Sequence, residues 1–221
     1  MRLLSLLSLT LVASAASIGE RANCDIHAST AEFATSRRAL VDARLVPETP
    51  AQFQPTGSNV NLIPSFNPTA LLNVTYGQKI VRLGNSFSTL ETVQAPSITF
   101  TAEQGHDPFT TKYTIIMADP DAPDPALPIL GSALHEIISD AQPECVTSQM
   151  RKEVASYKSP TPLGLPPHRY TFLVYRQPAG YVPPAENQAL LFNVTQYATE
   201  HGLQGPVAGN FFREGLGNLL D

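Results

Sequence analysis

Three places in the chain carry side chains suited to proton transfer or anion capture. The first is Asp119-Pro120-Asp121-Ala122-Pro123, directly after the β-rich run 112–118. Period-two alternation puts Tyr113, Ile115, Met117 and Asp119 on one face, so a strand here delivers a carboxylate at its end. The flanking prolines then set the backbone that carries Asp121. Taken alone, the segment also reads as a polar turn whose acids bond their own backbone. The second place is His135, within the run 134–139, and the third is His168-Arg169-Tyr170, which opens a run to residue 175. There His168, Tyr170, Phe172 and Val174 share a face, stacking an imidazole and a phenol two residues apart. A lone strand-end histidine is usually structural. Two beside an aspartate make a site, because the carboxylate holds one ring in a single tautomer while other N–H groups face an anion. Asp119, His135 and His168 are equally the candidates for acid–base catalysis. No close ligand spacing speaks for a metal, and none is expected. Gly-x-Ser-x-Gly, phosphate-loop, dinucleotide-fingerprint and Cys-x-x-Cys patterns are missing, so no cofactor is implied.

These residues need a scaffold, and the spacing predicts a mainly β one. Ser29 and Thr30 can cap a helix running to about Asp42, with Phe33, Leu40 and Val41 on one face and Arg37 and Arg38 outside. Short runs at 59–63, 71–76, 97–101, 112–118, 134–139 and 169–175 read as strands separated by Pro, Gly and Asn. Their irregular spacing and lack of βα alternation predict an antiparallel sandwich of Greek-key type. Thr195 is placed to cap a short helix ended by Gly202, and 211–220 reads as a second. The proline-rich stretches 120–128, 160–167 and 178–184 adjoin strands and read as rigid loops.

Composition narrows the setting. A charge of −5 with no basic run longer than Arg37-Arg38 offers no electrostatic footprint for nucleic acid or an anionic membrane. Arg2, the apolar stretch 3–12 and Ala13-Ser14-Ala15 have the form of a secretory leader, so residues 1–15 are expected to be a signal peptide and 16–221 a single domain. A stretch of ten residues spans about 15 Å as a helix, too little to cross a hydrocarbon core of about 30 Å. The expected destination is the secretory pathway, whether extracellular, vesicular or vacuolar. There Cys24 and Cys145 can form a disulfide, with two separate thiols the alternative. Asn73-Val74-Thr75 and Asn193-Val194-Thr195 are glycosylation sequons.

In chain order, Asp119-Pro120-Asp121-Ala122-Pro123, His135, Pro167-His168-Arg169-Tyr170 and Pro206-Val207-Ala208-Gly209-Asn210-Phe211-Phe212 resemble the phosphatidylethanolamine-binding protein family. The likeness runs from the helix near Ser29 to the end of the chain. Its C-terminal segments and proline-rich helix exit look most like secreted fungal members. The resemblance implies a large antiparallel sheet packed on a smaller one, with short peripheral and C-terminal helices. It also implies a small pocket in which Asp119, His135, His168 and Tyr170 accept an anion, with Pro123 and Pro162 at the rim and Asp121 supporting the loop. The chain departs from the family at Ala133, where animal members have tryptophan, at Leu134, at Glu136, at Ser159-Pro160-Thr161-Pro162 and after Phe212. Strand alternation turns Glu136 away from His135, toward a solvated face.

Three functions follow as expectations. The first is capture of the phosphate or carboxylate of a small molecule or lipid head group. The second, implied by fungal relatives, is an accessory enzyme of polyketide metabolism that helps couple maleic anhydride units, with Asp119 or a histidine as base. The third is inhibition of a serine carboxypeptidase, a protein-partner role known in the family that no residue here specifically indicates.

Overall fold

The computed structural model describes residues 24, 28–55, 60–128, 132–162, 166–184 and 190–216. The expected signal peptide, residues 1–15, lies outside them.

Helix α1, Thr30–Asp42, begins as the sequence predicts: Ser29 accepts from the Glu32 amide and Glu32 reaches back to the Ser29 amide, a reciprocal capping box. Its inner face is Ser36, Leu40 and Val41, while Phe33 is only half-buried. A short 3-10 turn, Pro50–Gln52, follows. The expected strand at 59–63 is not one. Within residues 60–63 the chain is buried but irregular, because the Leu62 and Ile63 amides bond the Leu45 carbonyl and Asn61 bonds Gln54 and Arg44. Its hydrophobicity serves docking on the helix exit, not pairing in a sheet.

Among the described residues nine strands follow: β1 (Leu72–Tyr76), β2 (Lys79–Ile80), β3 (Ser86–Phe87), β4 (Ser97–Phe100), β5 (Tyr113–Asp119), β6 (Ala133–Ala141), β7 (Lys152–Ala155), β8 (His168–Arg176) and β9 (Gln204–Glu214). They form a three-stranded sheet, β2-β1-β4, and a six-stranded sheet, β3-β9-β8-β5-β6-β7. Every pair is antiparallel except β3 with β9. Helix α2, Val194–Glu200, is capped by Asn193 and not by Thr195: the Asn193 side chain accepts from the Gln196 amide at 2.9 Å. Gly202, at φ +64°, stands where the chain leaves that helix.

The larger correction is β9. Residues 211–214 are strand, not the start of a helix, and positions 217–220 of that expected helix lie outside the described residues. Gly205, Pro206 and Gly209 make β9 look like a loop. Pro206 is tolerated because β9 meets β8 on one side, whereas β3 reaches it only at Arg213 and Glu214. Gly209 is required for packing: a Cβ there would lie 3.2 Å from both Leu40 and Phe66 side chains, so its absence lets α1 settle on the sheet.

The large sheet is the middle of three layers. One face, with Ile116, Ile137, Leu173 and Phe211, packs on Leu40 and Val41 of α1 and Tyr197 of α2. The other, with Tyr113, Met117, Tyr170, Phe172 and Phe212, packs on Val74, Tyr76, Ile98 and Phe100 of the small sheet. Central β5 is buried at every position. Cys24 and Cys145 are joined in a disulfide with a Cα–Cα distance of 5.3 Å, beside Ala102 and Val146. Among the described residues no helix is long and apolar enough to cross a membrane.

Candidate functional site

Asp119 ends β5 and divides its carboxylate between two tasks. Oδ2 accepts from His168 Nδ1 at 2.7 Å and Oδ1 accepts from the Asp121 amide at 2.8 Å. Asp121 is the loop's anchor: it accepts from the Arg169 amide, Nε and guanidinium NH2 at 2.6–2.8 Å, while the same guanidinium donates to the Ala43 carbonyl at 2.7 Å. A planar fork bound on two edges holds the loop more rigidly than a point charge would. His168 and Arg169, adjacent but on opposite faces of β8, thus hold the two aspartates of one turn.

Tyr170 is buried behind this pair. Its ring stacks on Phe212 at 5.2 Å and on His168 at 6.0 Å, and meets His135 edge-on at 5.1 Å. His135 reaches it through a bulge. In the pairing of β5 with β6, Met117 lies opposite Glu136 and Ala118 opposite Leu134, which leaves His135 as the extra residue. The ring is held by Nδ1, 2.7 Å from the Lys158 carbonyl, and because a carbonyl only accepts, Nδ1 carries the proton.

These side chains line a cavity of about 340 Å³ with Ala122, Pro123, Ala133, Leu134, Lys158, Ser159, Thr161 and Leu190. The structure therefore brings Asp119, His135, His168, Tyr170 and Pro123 together. Pro162 is buried one residue beyond the lining residue Thr161 and does not itself line the cavity. Ala133 and Leu134, where the chain departs from the family pattern, form part of the wall. Lys158 was missed by sequence reasoning; its one signal is its place just before Ser159-Pro160-Thr161-Pro162.

Two acids behind the cavity complete the electrostatics. Glu136 is buried, 7% exposed, and does not face solvent as alternation predicts. The bulge cancels the alternation, so Glu136 shares the face of Met117 and of His135's partner Tyr170. Burial, reinforced by the charge of Glu153 and opposed by Arg151, pushes its carboxyl up to about 7. Glu214 pairs in register with His168 and is fully buried. Burial drives it to about 7 against a hydrogen bond from Thr92, with the charges of Glu91 and Asp119 adding to the rise. One oxygen of each acid has no partner. Glu214 was missed because its segment reads as helix.

The two histidines are pulled apart. Burial is the largest influence on both. It prevails at His135, whose affinity for a proton falls. At His168 the hydrogen bond and charge of Asp119 outweigh it, and the proton is held more tightly. Buried His168 Nε2 has no partner. The cavity thus offers one N–H donor on a ring prone to carry charge, and one neutral ring. Among the described residues no group of three His, Cys, Asp or Glu is placed to hold a metal ion.

A model of the phosphatidylethanolamine-binding protein family matches residues 63–212, which include every residue of this cavity. The chain is 38% identical over 154 residues to CEN-like protein 1 of Nicotiana tabacum, covering 68% of this chain and 84% of that one. It is 31% identical over 163 residues to a 26 kDa secreted antigen of Toxocara canis, covering 70% of this chain and 60% of that one. The fold is similar to that of carboxypeptidase Y inhibitor, solved with its cognate proteinase, with a TM-score of 0.58, 26% identity, and coverage of 69% of this chain and 86% of the inhibitor.

Proposed function

The chain belongs to the phosphatidylethanolamine-binding protein family, and from that membership we propose that the cavity of Asp119, His135, His168 and Tyr170 binds the phosphate or carboxylate of a small ligand or lipid head group, with Pro123 at its rim and Pro162 behind it. One observation carries the reading: His168 is 3% exposed, is bonded through Nδ1 to Asp119, and keeps a buried Nε2 without a partner in a cavity it lines. An anion at that nitrogen satisfies it and balances the ring's charge. Affinity should rise as pH falls from about 7 to 5, because His168 favours its proton in this site. Calorimetric titration with phosphate, phosphoethanolamine and a dicarboxylate checks this. No heat from any of them across that range overturns it.

A second reading rests on the histidines' opposite tendencies. Groups pushed apart in this way suit a base and an acid working together, here His135 Nε2 and His168, at a carbon made acidic by a neighbouring carboxylate or anhydride. It accords with the accessory role in polyketide coupling, and loss of the dimeric product on gene deletion is the outcome it requires. Inhibition of a serine carboxypeptidase rests on likeness to the inhibitor and on no residue of this chain.

The leader 1–15, a single domain over 16–221 and passage through a secretory compartment belong to the same proposal. The disulfide and the exposed positions of Asn73 and Asn193 are compatible with it. Expressed through a eukaryotic secretory pathway, the protein should lose mass in two steps on endoglycosidase treatment. Thr75→Ala and Thr195→Ala should remove one step each, the latter sparing the Asn193 cap. A single unglycosylated band would contradict this.

A further inference from the structure

Lys158, Ser159 and Thr161, from the segment between β7 and β8, form part of the cavity wall, and that segment is clamped. Lys158 exchanges two hydrogen bonds with His135: its amide donates to the His135 carbonyl at 2.8 Å and its carbonyl accepts from His135 Nδ1 at 2.7 Å. The preceding Tyr157 is tied at its hydroxyl to the Thr92 carbonyl at 2.6 Å and the Tyr76 hydroxyl at 3.2 Å. The Cα of Lys158 is therefore located relative to the pocket histidine as firmly as a neighbour in a sheet. Its side chain is exposed, and among the described residues no carboxylate pairs with its ammonium. Lys79 and Lys152, by contrast, are each neutralised by an acid at 2.8–2.9 Å. The charge of Lys158 also reaches the cavity, where it adds to the forces that keep His135 unprotonated.

The lining of the cavity thus includes two groups able to carry positive charge, buried His168 and exposed Lys158, with Pro123, Ala133, Leu134 and Leu190 as apolar wall. At about 340 Å³ the space is at the small end of ligand sites. We propose that Lys158 is a specificity-determining residue, and that the cavity selects a small dianion: two acidic groups joined by a short hydrocarbon spacer, one group seated at His168 and the other at Lys158. This rests on the anion-pocket reading above and narrows it. A phosphomonoester on a hydrophobic tail leaves Lys158 unused, whereas a dicarboxylate or a carboxylate with a terminal phosphate engages both residues. Ser159 and Thr161, also on the wall, add hydroxyl donors beside the second group.

The test titrates the folded protein at pH 6 with butyrate, succinate, glutarate and adipate, using calorimetry. The wild type should bind at least one dicarboxylate about tenfold more tightly than butyrate, the increment of one additional charge-assisted hydrogen bond near solvent. Lys158→Met should bring that ratio to about one, and Lys158→Arg should restore it. Thermal midpoints of both variants show that the wall has stayed folded. Equal affinity of the wild type for butyrate and all dicarboxylates, or an unchanged ratio in Lys158→Met, overturns the role of Lys158 while the anion pocket stands. If neither these four nor phosphate binds, the anion pocket itself fails, and the dianion proposal fails with it.

Discussion

Stability will fall as the pH is raised from about 4.5 to beyond 7, and Glu136→Gln and Glu214→Gln will each remove part of that fall. In the unfolded chain these carboxyls titrate near 4.5; in the folded protein both are driven to about 7, chiefly by burial. Below the lower value both states are protonated and the acids cost nothing. Between the two, the folded state holds protons that the unfolded state has released, so rising pH favours unfolding until the folded carboxyls also ionise. The full difference corresponds to roughly 3 kcal/mol for each acid, or a midpoint change on the order of 5–10 °C in a chain of this length. His168 acts in the same direction, since its proton is held more tightly when folded and that stabilisation is lost as pH rises through its folded value. His135 acts the other way, because its proton is held less tightly when folded. Substitution by glutamine isolates the acids. It keeps shape and removes the charge, so each variant should match the wild type near pH 4.5 and exceed it at pH 8. Parallel stability curves for wild type and variants across this range would mean that neither carboxyl is neutral in the folded protein.

Asp119→Asn should lower affinity for phosphate by about a hundredfold at neutral pH, the scale of a lost charge-assisted hydrogen bond in a buried site. The amide can still accept from His168 Nδ1, but the negative charge that holds the imidazolium is gone, and with it the main opposition to burial. The defect should therefore shrink as the pH is lowered, and the midpoint of the affinity profile should move to lower pH. His168→Gln supplies the control: it removes the ring, so acid should not rescue it. Arg169, bonded to Asp121, keeps the turn in place in both variants. Phosphate titrations from about pH 5 to 8 read both effects, and an Asp119→Asn profile that superimposes on the wild type would show that His168 does not carry the anion.

The particular residues show how much of this was readable in the chain. The helix cap at Ser29, the alternation that aligns His168, Tyr170, Phe172 and Val174, and the delivery of Asp119 by β5 all depend on residues close in sequence, and all stand as the spacing predicts. The family was legible too, because its motifs are short continuous stretches. What failed was the reading of segments whose state depends on distant partners. Residues 60–63 are apolar enough for a strand but find their hydrogen bonds at the end of α1. β9 carries one proline and two glycines, which speak against a central strand, and it stands because β8 covers one side while most of the other is free of strands.

By itself, then, the sequence determined a mainly β chain whose Asp119, His168 and Tyr170 must lie at strand ends, since dihedral preference, period-two alternation and turn chemistry act over a few residues. The tertiary structure alone decided which side of the sheet Glu136 occupies, that Glu214 stands opposite His168, and that Lys158 is clamped to His135 at the cavity wall. Each of these follows from strand register and a single bulge, and register is settled by the pairing of segments tens of residues apart. One residue inserted into β6 is enough to reverse which face its next side chain takes.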